Sequence, residues 1–139
     1  MKTESLCQEA RCEALKHRYL ESEKAGRDLG PEAVTDWRLR HWIIWLRYRW
    51  LEHLLGTRCW EEFDPARFGG LPALFGSHMA LVGEIADLVR QGAENADIVG
   101  WAGREHRDMD LVVRILLEMG IDRIRCSSRC VLLAWLSPT

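Results

Sequence analysis

Three groups of side chains in this 139-residue sequence could carry chemistry: five cysteines, a set of histidines and carboxylates in the amino-terminal half, and a segment dense in tryptophan and arginine. A metal site needs thiolates that converge. Cys7 and Cys12 are five residues apart, which turns them about 140° from each other on a helix, so they cannot grip one ion. Cys126 and Cys130 are four apart and could share a helical face. The Ser-Ser-Arg between them lacks the turn chemistry of a zinc knuckle. A four-thiolate site from both pairs is the one metal reading left; small buried hydrophobes account better for most of these residues.

Glu21, Glu23, Asp28, Asp36, His41, Glu52 and His53 fall in or between the first two helical patterns. A helical di-metal site would need Glu-x-x-His on two helices, and that spacing is absent. Glu52 and His53 are adjacent, so they face about 100° apart and do not substitute. What remains is a ligand, metal or acid–base set of Glu23, Asp36, His41 and Glu52 across the angle between two helices. Against it stands the plainer use of such groups, as hydrogen-bonded caps and interhelix pairs. Glycines 26 and 30 precede a helix start but lack the order of a phosphate loop. The pair of helices joined at Glu105–Asp108 has helix-turn-helix spacing, yet its second helix is too apolar to lie in a DNA groove.

The third group is the most unusual. Four of the seven tryptophans lie between Trp37 and Trp50, with Arg38, Arg40, Arg47 and Arg49 among them. On a helix, Leu39, Trp42, Ile43, Leu46, Trp50 and Leu54 form one apolar stripe. Arg38, His41, Trp45, Tyr48, Arg49 and Glu52 then occupy another side. Apolar residues that run nearly all the way round a helix must be covered by something. Another helix of the same chain could do so. A protein partner or a second copy could, because Trp, Tyr and Arg are the residues of binding hot spots. In a third reading the arginines hold phosphates while Trp45 and Tyr48 stack bases. Net charge weighs against that: residues 37–56 sum to +3, but the stretches before and after sum to −2 and −4, which is no basic field.

Positioning these groups requires helices. The spacing predicts a first helix over Ser5–Ala25 and a second over Pro31–Leu55, long enough to be the spine. A connector follows, with one turn near Asp64–Phe68, and then helices over Pro72–Arg90, Ala96–Arg104 and Met109–Met119. Helix 1 should pack antiparallel to helix 2 through the Gly26–Pro31 turn. Residues 121–139 are undecided between a short buried helix and a strand at Val131–Leu136. The expected fold class is all-α: a single domain over 1–139 of about five helices around a long Trp/Arg-rich one. No apolar leader or membrane-length run is present, so the expected location is the cytoplasm, with reduced thiols. No catalytic signature and no cofactor motif is found. The function these features favour is a non-enzymatic interaction or adaptor protein that self-associates. The alternative is a small ligand- or metal-binding protein, or an enzyme, at the Glu23/Asp36/His41/Glu52 set.

Overall fold

The computed structural model describes residues 2–124 and is an all-α domain of helices packed on one core. Cys126, Cys130 and the apolar run at 131–136 lie outside the described residues.

Helix α1, Leu6–Ala25, starts at Ser5, whose Oγ accepts a hydrogen bond from the Gln8 amide at 3.4 Å, and stops at Gly26 with φ +71°. It buries only Leu6, Ala10 and Ala14 along one stripe. Their small size lets α2, Pro31–Arg40, lie close against it. Pro31 opens α2 where its missing N–H costs nothing. The turn between them is held by Arg18, whose guanidinium donates to both oxygens of Asp28 at 3.0 and 2.8 Å, while the Gly30 amide donates to Asp28 at 2.9 Å.

These bonds, Arg18's first, hold the Asp28 carboxyl down to about 2 from an ordinary 3.8. The group is depressed, so whatever it adds to the folded state is fully present above 3.8. It is lost as pH falls through about 2. A carbon-detected NMR titration is expected to place Asp28 near 2, and Arg18→Ala is expected to move it upward. A midpoint indifferent to that substitution would show that Arg18 is not the cause.

The Trp/Arg-rich segment departs from the single rod that its pattern predicts. The chain breaks at His41 (φ −115°, ψ −16°), and the helix resumes as α3, Trp42–Leu55. The reason lies in Trp37 and Trp42, both buried. On one straight helix, residues five apart point about 140° from each other, so one indole would have faced away. The break brings both into one cluster, with ring centroids 6.0 Å apart. Leu39, expected in the apolar stripe, is the residue that loses: it stands 75% exposed. The predicted Pro72–Arg90 helix is likewise interrupted. It forms α4, Gly70–Phe75, then a 3₁₀ turn at Gly76–His78, then α5, Met79–Arg90. Gly76 and Ser77 are weak helix formers, so little holds the α geometry there. Helices α6, Asn95–Arg104, and α7, Met109–Met119, lie where the periodicity puts them.

α3 is the centre of the core. Leu46, Leu51 and Leu54 are buried with Trp50, whose indole N–H donates to the Met119 carbonyl at 2.6 Å. Trp60, on the connector, is fully buried. Two-residue strands, β1 at Thr3–Glu4 and β2 at Cys59–Trp60, pair in parallel. Arg58 clamps Glu4 through two bonds of 2.7 Å. Glu62 caps α1 from a distance, accepting from the Leu6 and Cys7 amides at 2.7 and 3.2 Å.

α3 ends at Gly56, φ +80°, and an added Cβ there would lie 3.2 Å from the Gly69 backbone. Gly56→Ala meets both the left-handed penalty and that close approach, so it is expected to cost about 1–2 kcal/mol or more. Urea unfolding measures it; an unshifted midpoint would mean that the two loops separate freely.

Candidate functional site

One open groove, about 500 Å3 in volume, runs between α1 and the α2–α3 junction. From α1 come Glu13, Lys16, His17 and Leu20, whose spacings of three and four put them on one helical face. From α3 come Ile44, Trp45, Tyr48 and Arg49, and His41 sits at the break. The floor is aromatic. Trp45 stacks on Trp42 at 5.8 Å and meets Trp37 edge-on at 5.8 Å, so three indoles form one rigid wall. Apolar groups nonetheless remain uncovered, with Leu20 52% and Ile44 38% exposed.

The polar end is built on two imidazoles. His17 Nε2 lies 2.8 Å from Asp36 Oδ2, and the other oxygen of Asp36 meets Arg40 at 2.7 Å. The His41 ring stands edge-on to His17 at 5.2 Å and makes no hydrogen bond among the described residues. At the other end Arg49 lies over Trp45 at 5.5 Å and pairs with Glu52 at 2.7 Å, off the line a hydrogen bond needs. Lys16 pairs with Glu13 at 3.4 Å.

The residues expected on the second side of the Trp/Arg helix divide accordingly. His41, Trp45, Tyr48 and Arg49 line the groove. Glu52 turns away into a network with Arg49 and Arg58, and Arg38 is half-buried on α2 outside the groove. Much of α3 is covered by its own chain, since Trp42, Leu46, Arg47, Trp50, Leu51, His53 and Leu54 are all buried. The Glu23, Asp36, His41 and Glu52 set is not brought together. Glu23 lines a separate cleft of about 640 Å3 at the α1–α2 turn, beside Arg18 and Asp28. Asp36 is engaged by His17 and Arg40, and Glu52 by Arg49 and Arg58. Among the described residues, no three His, Cys, Asp or Glu side chains stand where they could hold one metal ion.

Sequence reasoning missed the α1 wall of the groove. His17 was placed on the apolar stripe of α1, and its polarity in that stripe was the one available signal. Lys16 and Leu20 carried none. The phosphate-binding reading also loses a member: Arg47 is buried and bonded to Glu94 at 3.0 Å.

A His–Asp pair is the orienting half of a general base. Here it faces no nucleophile, because apart from the Tyr48 phenol no hydroxyl or thiol lines the groove. Comparison with protein-family models, with curated proteins and with solved structures finds no match for this chain. No helix among the described residues is long and apolar enough to cross a membrane.

Proposed function

We propose that the chain is a non-enzymatic protein-interaction module whose contact surface is the α1/α2–α3 groove, occupied by a segment of a partner protein or of a second copy. The observation that carries this reading is the rigid indole wall left partly uncovered beside Leu20 and Ile44. A side chain docked there gains apolar contact with a surface that needs no reordering. The open shape favours a macromolecule over a small metabolite. Small-molecule sites enclose most of their ligand, whereas this groove is walled on one face only by two helices and their junction.

Photo-crosslinking in the native host tests the reading. A benzophenone amino acid is placed at Ile44, with the exposed Asp110 on α7 as a control position. A discrete adduct at position 44 and none at 110 is expected. An adduct of twice the chain mass identifies a second copy, and any other discrete mass identifies a partner. The same adduct pattern from both positions, or none from either, would dismiss the groove as the contact surface.

A further inference from the structure

We infer that the segment this groove takes is acidic, with an aliphatic or aromatic side chain that seats on Ile44 and Trp45 and carboxylates that meet Lys16, Arg40 and His41. This rests on the groove being an interaction surface and adds the chemistry of its occupant.

The argument is one of which polar groups are already used. Each acid near the groove is engaged within the chain: Glu13 by Lys16, Asp36 by both His17 and Arg40, Glu52 by both Arg49 and Arg58. The donors are not used up. Lys16 has three ammonium hydrogens and one weak partner at 3.4 Å, and its side chain is largely exposed. Arg40 pairs with Asp36 through Nε alone, so its terminal nitrogens face outward on an exposed side chain. His41 is exposed with no hydrogen bond among the described residues. The surplus at the rim is therefore of donors and positive charge. An incoming carboxylate finds partners there, whereas an incoming ammonium finds only acids that are already paired. The apolar floor lies next to this rim, through Leu20, Ile44 and Trp45. That fixes the order of features in the occupant: an apolar anchor flanked by acidic residues. Charge complementarity of this kind selects partners and sets encounter rates more than it adds affinity.

A random dodecapeptide display library selected against the full-length chain tests this. Enriched sequences are resynthesised, and their affinities are read by fluorescence anisotropy against the wild type, Ile44→Asp and Lys16→Glu/His41→Asn. Circular dichroism confirms that each variant is folded. We expect enrichment of acidic peptides with a bulky apolar residue. Ile44→Asp should weaken them at least tenfold, the rim variant should weaken them several-fold, and affinity should fall as salt rises. Basic or uncharged peptides that still depend on Ile44 would overturn the acidic assignment and leave the groove standing. Peptides indifferent to Ile44→Asp, or no enrichment at all, would overturn both. Light scattering on the same samples covers the second copy. A dimer abolished by Ile44→Asp would make another copy of this chain the occupant and reject an acidic partner segment.

Discussion

Leucine in place of His53 is expected to lower the unfolding free energy by about 3 kcal/mol, because it strands a buried backbone amide. His53 is fully buried on α3. Its Nδ1 accepts from the Trp60 amide at 3.2 Å, which leaves the proton on Nε2 to donate to the Asp64 carbonyl at 2.8 Å. One neutral tautomer is thus fixed by its two partners. The ring is held flat against Trp50, at 13° and 6.0 Å, and edge-on to Phe63 and Phe68. Leucine conserves much of the volume, so most of the loss comes from the orphaned Trp60 N–H and not from a cavity. Urea unfolding of the two proteins measures the difference. A loss below about 1 kcal/mol would mean that the amide finds another acceptor, and that His53 is only filling space.

The second large effect concerns Arg47, whose side chain is 3% exposed and whose one printed partner atom is Glu94 Oε2 at 3.0 Å. Its Nε has no hydrogen-bond partner. Removing the acid leaves a buried charge without compensation, whereas removing the arginine leaves only a surface acid and space for an apolar chain. Glu94 also opens α6 through a reciprocal capping box with Asp97. Glu94→Ala is therefore expected to cost about 2–3 kcal/mol. That is less than a wholly buried pair would lose, because Glu94 is 48% exposed. Arg47→Met is expected to cost less than about 1 kcal/mol, since methionine fills irregular apolar space. In the Arg47→Met background, Glu94→Ala should cost only about 1 kcal/mol, the worth of the cap. Thermal and urea unfolding of the four proteins close this cycle. If Arg47→Met were the costlier single substitution, the charge would be supporting the fold and not being tolerated by it.

The helices were legible where one physical signal acts alone. Ser5 and Asp108 cap their helices, Gly26, Gly56 and Gly120 close theirs in the left-handed region, and α6 and α7 fall within a residue of the predicted bounds. The pattern failed where two large side chains competed for one interior. No propensity marks His41 as a break; what breaks the helix there is that Trp37 and Trp42 both belong inside. Half of the groove was readable, because His41, Trp45, Tyr48 and Arg49 share a face by spacing alone. The α1 half was not, since whether Lys16, His17 and Leu20 meet them depends on the packing of α1 and α2. The capping of α1 by Glu62 was invisible for the same reason: the two lie 56 residues apart.

That distant cap bears on how the chain comes to order during synthesis. The first helix leaves the ribosome long before the acid that satisfies its leading amides, and before the strand that its preceding residues pair with. Until the 57–62 stretch has been made, this amphipathic segment has neither its cap nor the tryptophan core beneath it. Nascent chains arrested short of that point should therefore show its amino end open to protease, and chains arrested well past it should show that end protected.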